Sequence, residues 1–141
     1  MITIKKSKSK IKYFKIARAL LAFIKTKTPH IKKYSDFYGK KAHFYAHENG
    51  KLVGGIMCQI QCKWLFIDML YIDERMRGQD IGSRLIAEAE NYARANNLMG
   101  LFVHTFEFQA RPFYEKCGFK VVGCLENMPP ESKAWTLQKE F

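Results

Sequence analysis

A polar, glycine-containing turn joins a strand-like segment to the strongest helical segment of the chain. Residues 81–95 carry apolar side chains at intervals of four, at Ile81, Leu85, Ala89 and Ala93, which predicts a helix with one apolar stripe. Residues 63–73 before the turn and residues 101–105 after the helix are rich in aromatic and aliphatic side chains. A strand, a helix and a strand in this order predict a crossover that places the two strands side by side and parallel.

The remaining segments add antiparallel strands to this crossover. Asn49-Gly50 between two strand-like runs is typical of a two-residue hairpin turn. Periodicity predicts a helix over 11–27, strands over 41–47, 51–62, 119–125 and 134–139, and a short helix over 111–116. We therefore predict a single α/β domain over residues 1–141, with a mixed, mostly antiparallel sheet flanked by helices.

The positive charge of the chain is concentrated near its beginning. Residues 1–41 hold 13 Lys and Arg and one acid, which gives +12, whereas residues 42–141 hold 11 Lys and Arg and 12 acids, which gives −1; together they make the net +11. Such a segment attracts anionic partners, but a lysine-rich segment is also typical of a solvated helix face, which we favour. The charge is therefore compatible with a nucleic-acid partner, but we do not favour that interpretation.

The hydropathy and the cysteine pattern argue against a membrane-spanning protein and against a zinc protein. No apolar run approaches the length of about 20 residues that spans a bilayer, so no membrane partner is expected. The cysteines lack the Cys-x-x-Cys spacing of zinc sites, which favours reduced thiols and no metal; they are Cys58, Cys62, Cys117 and Cys124. We expect a cytoplasmic protein.

The turn of residues 77–82 has the features of an anion site. The first N–H groups of a helix lack partners inside the helix, and the helix dipole favours negative charge there. Gly78 and Gly82 allow backbone to approach an anion closely, and Arg77 adds a charged donor. Asp80 is the discordant residue. It either adopts a left-handed conformation, or caps the helix, or repels the anion; we expect the first two, which leave the site working.

Two stretches together resemble the GNAT superfamily of N-acetyltransferases. LYIDERMRGQDIGSRLIAEAE (residues 70–90) is similar to its acetyl-CoA motif, and FQARPFYEKCGFKVVG (residues 108–123) is similar to its C-terminal tyrosine motif. The resemblance implies a sheet splayed between the third and fourth core strands, with acetyl-CoA in the opening. It also implies direct transfer of the acetyl group to a primary amine in a ternary complex. The acceptor, a small-molecule or protein amine, is left open, and a homodimer fits the family.

The resemblance assigns site residues position by position. Tyr114 matches the tyrosine that protonates the departing CoA thiolate, a role suited to a phenol of comparable basicity. An N–H near Ile72 would stabilise the oxyanion. Phe108 stands where many members carry an asparagine that bonds CoA, so that contact is weakened. The implied cofactor-binding residues are Leu70, Tyr71, Ile72, Arg77, Gly78, Gln79, Asp80, Ile81, Gly82 and Ser83.

The attacking amine must lose a proton, and the chain offers several acceptors. Asp68 is the first candidate, because period two places it on the strand face of Phe66, Leu70 and Ile72, where a carboxylate needs a partner. A structural aspartate bonded to backbone or lysine is an equally weighted interpretation. The weaker candidates are Glu107 and Glu126. His104, at the end of the fourth strand, is either a proton relay or, as is more common for such a histidine, a structural strand-end residue.

The predicted domain divides into two parts with different roles. Residues 1–40 would form the basic helix and a loop on the acceptor side, which includes Tyr34–Tyr38, and residues 41–141 would form the sheet with both motifs. The alternative function is a non-catalytic GNAT-like module that senses CoA or binds nucleic acid through the basic segment.

Overall fold

The computed structural model describes residues 1–28 and 39–141, so the acceptor-side loop predicted around Tyr34–Tyr38 lies outside the described residues. The chain divides into two compact units, Met1–Ser35 and Asp36–Phe141. In the first unit, helix α1 (Lys10–Lys27) begins after Ser9, whose hydroxyl accepts the Lys12 N–H at 3.3 Å. No described helix has the length and apolar character needed to cross a membrane.

The second unit is built on a six-stranded mixed sheet. Its described elements are β1 (Lys41–Glu48), β2 (Lys51–Gln61), β3 (Trp64–Ile72), α2 (Ile81–Ala95), β4 (Gly100–Phe106), α3 (Arg111–Lys116), β5 (Lys120–Glu126) and β6 (Lys133–Glu140), with a 3-10 turn at Glu74–Met76. The strand order is β1-β2-β3-β4-β6-β5. Strands β3 and β4 are parallel, and every other neighbouring pair is antiparallel. The predicted α/β class, mixed sheet and crossover are confirmed.

Two-residue turns close the meander of β1, β2 and β3. Asn49 and Gly50 both have positive φ, 49° and 78°, as a tight hairpin turn requires. Cys62 and Lys63 repeat this conformation between β2 and β3, at 47° and 70°. These turns bring each strand against the one before it, and the hairpin predicted at Asn49-Gly50 is confirmed.

The apolar stripe of α2 packs on one face of the sheet, here called the helix face. Leu85, Ile86, Ala89 and Ala93 are all buried there. The strands supply the other half of this core, chiefly Ile56, Cys58, Leu65, Ile67, Leu101, Val103 and Leu137. Since burial of each large aliphatic side chain contributes about 1.5–3 kcal/mol, this contact holds the crossover helix across β2, β3 and β4.

The parallel ladder between β3 and β4 is very short. It pairs Leu65–Ile67 with Leu101–Val103 and ends there. Directly afterwards the register between β2 and β3 shifts, so that Asp68 is an extra residue on β3. Such a bulge bends its strand and changes its direction. The predicted splaying between the third and fourth strands is therefore confirmed, with the bulge at its origin.

The surroundings of two strand glycines predict that an added methyl group has contrasting effects on stability. A Cβ at Gly54 would lie 2.8 Å from the Tyr71 carbonyl oxygen, whereas a Cβ at Gly123 would meet nothing nearer than Thr136 Cβ at 3.8 Å. We expect Gly54→Ala to lower the free energy of unfolding by about 1–3 kcal/mol through overpacking. Gly123→Ala is the matched control and should leave it unchanged or slightly raised. Urea denaturation would measure both, and equal effects would contradict the prediction.

Candidate functional site

The end of β3 presents unpaired backbone groups to the opening beside β4. Asp73, just past the strand, donates its N–H to the Val53 carbonyl at 2.8 Å. Because antiparallel ladders alternate between paired and outward-facing residues, Tyr71 directs its backbone toward β2, whereas Leu70 and Ile72 direct theirs away from it. The parallel ladder has already ended at this level. Of the three predicted strand residues, Leu70 and Ile72 therefore offer backbone donors and acceptors to the opening.

Arg77 connects the loop to this strand end. Its Nε donates to the Ile72 carbonyl oxygen at 3.3 Å, which leaves the two terminal guanidinium nitrogens for an anion. The preceding 3-10 turn is fixed by Asp73, whose carboxylate accepts the Arg75 N–H at 3.1 Å and forms a 3.2 Å ion pair with its guanidinium. Hydrogen bonds from Arg75 hold the pKa of Asp73 below its usual range. These contacts anchor the part of the loop that follows β3.

The start of α2 provides a group of free donors. Within residues 1–28 and 39–141, the N–H groups of residues 78–83 have no hydrogen-bond partner, and the first helical bond is donated by Arg84 to the Asp80 carbonyl at 3.0 Å. Gly78 has a φ of 77° and open space around its Cβ position. Free N–H groups at a helix N-terminus, with an arginine beside them, form an arrangement suited to a phosphate group.

Asp80 adopts the left-handed conformation, with φ 58° and ψ 14°, and directly precedes α2. Its side chain makes no capping hydrogen bond in the described part of the chain, so the expected carboxylate cap is wrong. Its carbonyl instead accepts from the Arg84 N–H and, at 2.9 Å, from the Ser83 hydroxyl. The residue therefore serves the turn through its backbone, and its exposed side chain is not needed to start the helix.

Gly82 brings the two sequence motifs into contact. A Cβ at this position would lie 3.1 Å from Cζ of Phe113, on α3, and 4.0 Å from Cγ1 of Ile72. Only a residue without a side chain lets the first turn of α2 approach the α3 ring this closely. The helix that carries Tyr114 is thereby placed against the phosphate-suited loop and the end of β3.

Tyr114 is a buried phenol on the helix face of the sheet, with 4% of its surface exposed. Burial raises its pKa to about 12, and the neighbouring thiols of Cys117 and Cys58 act in the same direction. The rings of Phe113 and Phe119 lie edge-on to it, at 5.3 and 5.5 Å between centroids. The phenol therefore remains protonated at neutral pH, as a proton donor must.

Asp68 occupies the bulge of β3 and is exposed, with no hydrogen bond or ion pair to the described residues. Above the bulge Leu70 packs on the helix face, whereas below it Phe66 pairs with Phe102 on the opposite face. The predicted common face of Phe66, Asp68 and Leu70 is wrong, because the extra residue breaks the period of two. The alternative interpretation, a structural aspartate bonded to backbone or lysine, finds no such bond among the described residues.

One polar contact at the end of β4 was not predicted from the sequence. The side-chain carbonyl of Gln109 accepts the Phe106 N–H at 3.2 Å and closes the turn that leads to α3. Phe108, at the position of the missing asparagine, is 68% exposed and stacks on Phe106 at 5.3 Å. The weaker base candidates Glu107 and Glu126 are both exposed. A polar residue three positions beyond a strand end was the available signal for the Gln109 turn.

Comparisons with known proteins agree on one family. The acetyltransferase (GNAT) family matches residues 14–119. The blasticidin-S acetyltransferase of Streptomyces morookaense is 38% identical over 101 residues, 71% of this chain and 74% of that protein. An acetyltransferase structure from Bacillus cereus, 23% identical, covers 99% of this chain and 98% of its own, with a TM-score of 0.81. A Bacillus anthracis structure in complex with acetyl coenzyme A is 25% identical, covers 77% and 68%, and has a TM-score of 0.67.

The conformation of Asp80 predicts which substitutions the loop tolerates. Asp80→Gly should change the free energy of unfolding by less than about 0.5 kcal/mol, because glycine accepts positive φ and no capping bond is lost. Asp80→Val should lower it by about 1–2 kcal/mol, because a β-branched residue is strained in this region. Thermal denaturation of both variants would test this. Equal stability of the two variants would show that the left-handed conformation is not maintained in solution.

Proposed function

The chain belongs to the acetyltransferase (GNAT) family, and from this premise we propose that it moves the acetyl group of acetyl-CoA to a primary amine by direct attack in a ternary complex. The observation that carries the proposal is the opening between β3 and β4. One side of it is lined by the outward backbone of Leu70 and Ile72, and its end is marked by the free N–H groups of residues 78–83. A ligand with an extended amide-containing chain and a pyrophosphate fits these two features, because the strand backbone suits the amides and the loop N–H groups suit the pyrophosphate.

The loop and the strand would divide the binding of acetyl-CoA between them. The N–H groups of residues 78–83 and the free guanidinium nitrogens of Arg77 would hold the pyrophosphate. The backbone of Leu70 and Ile72 would bind the pantetheine amides in the manner of a neighbouring strand. The Ile72 carbonyl is already bonded by Arg77 Nε, so this guanidinium links the two binding regions. The acetyl coenzyme A bound to the Bacillus anthracis relative supports this choice of acyl donor.

The reaction then requires that the thioester carbonyl is polarised and attacked by the amine. It also requires that the amine loses a proton and the departing thiolate gains one. The amine nitrogen attacks the thioester carbon, and the outward N–H at Ile72 would stabilise the negative charge on the carbonyl oxygen. As the C–S bond breaks, the sulfur takes the electron pair, and Tyr114 would supply its proton. The amine gives its own proton to a base, for which Asp68 is the sequence prediction. All atoms of both substrates are thereby accounted for in an amide and a free thiol.

We take small polar amines as the first class of acceptor to test. The relative with 38% identity is a blasticidin-S acetyltransferase, so blasticidin S heads the panel. Loops that select acceptors vary on a shared fold, so the family alone does not set the acceptor. Aminoglycosides, polyamines and peptide amines would complete the panel.

The binding step is tested separately from turnover. Isothermal titration should show acetyl-CoA binding. Arg77→Gln should weaken this binding about tenfold, because the variant loses one charged contact to phosphate. Lys120→Gln, at an exposed position on the edge strand β5, is the control and should bind normally. Absence of binding at millimolar acetyl-CoA would overturn the proposal. Free-thiol release across the amine panel then measures transfer.

Tyr114→Phe isolates the proposed acid. We expect turnover to fall about 100-fold or more, because the departing thiolate loses its proton donor, with acetyl-CoA affinity nearly unchanged. Tyr92→Phe removes a hydroxyl from a half-buried tyrosine on α2 and should leave both quantities as in the wild type. Unchanged turnover in Tyr114→Phe would remove this residue from the mechanism.

A further inference from the structure

The sheet face opposite α2 and α3, here called the outer face, carries a polar pair within an aromatic group. Nδ1 of His104 lies 2.9 Å from Oγ1 of Thr136, directly opposite it on β6. The imidazole also lies 5.5 Å from the ring of Phe66 and 6.0 Å from that of Phe102. These contacts hold the ring on three sides, while its surface remains partly open to solvent.

His104 stands at the point where the two central strands separate. It follows Val103, the last residue of β4 that pairs with β3, so its backbone lies at the inner end of the opening. Along β4 the buried Val103 and Thr105 face the helices, which puts His104 on the outer face. Tyr114 is buried among the helix-face core residues. The imidazole and the phenol therefore lie on opposite sides of the sheet at the same opening.

We propose that His104, oriented by Thr136, is the base that accepts the proton of the attacking amine. This inference rests on the proposed acetyl transfer. The thioester carbon would lie in the opening between the two groups, so that its sulfur is near Tyr114 and an amine that enters from the outer face reaches the carbon beside His104. The nitrogen–carbon bond forms as the ammonium proton passes to Nε2 of His104, and the exposed ring then releases that proton to water.

Thr136 would determine which imidazole nitrogen is the base. If its hydroxyl oxygen accepts the Nδ1–H of His104, the lone pair is left on Nε2, away from β6. An imidazole nitrogen with a free lone pair is a common general base in proton transfer from an amine. Asp68 on the bulge is the competing candidate. Thr136 is thus a positioning residue and His104 the catalytic one.

The first experiment compares histidine variants in the intact protein, with the best acceptor of the amine panel. His104→Gln should lower kcat about 100-fold and leave acetyl-CoA affinity by titration unchanged. His104→Gly should regain at least tenfold when imidazole is added, whereas Tyr114→Phe should gain nothing. His43→Gln changes another exposed outer-face histidine and should retain wild-type activity.

The outcomes separate this inference from the acetyl transfer on which it rests. An active wild type with an equally active His104→Gln variant overturns the inference alone, and a loss in Asp68→Asn would then give the role to Asp68. A wild type that binds acetyl-CoA but acetylates no amine overturns the proposed function, and the inference with it.

The second experiment tests the role of Thr136, first by NMR of the free protein and then by turnover with the same acceptor. Nitrogen-15 NMR of the imidazole should find the proton on Nδ1 of His104 at pH 8 in the wild type. Thr136→Val should shift the tautomer toward Nε2–H and lower kcat about tenfold at constant acetyl-CoA affinity, and Thr136→Ser should restore both. A wild-type proton on Nε2 would overturn the proposed base, because that nitrogen then has no lone pair for the amine proton.

Discussion

The three-residue parallel ladder between β3 and β4 is the constraint on which the site depends. If the ladder continued, the backbone of Leu70 and Ile72 would be occupied by β4, and no chain of amides could bind there. The bulge at Asp68 ends the ladder at the cost of one unpaired residue. The same bulge turns β3 toward the loop that precedes α2. An irregularity in hydrogen bonding thus produces the opening in which acetyl-CoA is proposed to bind.

In the proposed phosphate-binding loop at the start of α2, backbone groups take the part that side chains play in many sites. Asp80 contributes through its left-handed backbone and its carbonyl, and its carboxylate does not hold the helix. Gly82 contributes by having no side chain, because Phe113 fills the adjacent space. Arg77 then adds a guanidinium charge, held by its hydrogen bond to the Ile72 carbonyl oxygen. Donors fixed in this way need little reorganisation when an anion binds.

Local and periodic features were predictable from the sequence, and features set by pairing between distant residues were not. The helix over residues 81–95 agrees with the structure, since its apolar period and the turns around it are local signals. The face of Asp68 was wrong because a bulge depends on the register with β2, which no single strand reveals. The contact of His104 with Thr136 joins residues 32 positions apart and has no sequence signal. At Asp80 the sequence allowed both a cap and a left-handed turn, and only coordinates distinguish them.

The short ladder also has a consequence for the order of assembly. Strands β1, β2 and β3 form one hairpin meander and β5 and β6 form another hairpin, and these contacts are local in sequence and form early. Strand β4 joins β6 later, because it pairs residues as distant as Gly100 and Glu140. The two sides share three ladder positions and the packing of α2 across them. The opening is therefore expected to take shape last, when the helix docks. Local unfolding would reach it first, so a molecule bound there would protect the seam from hydrogen exchange.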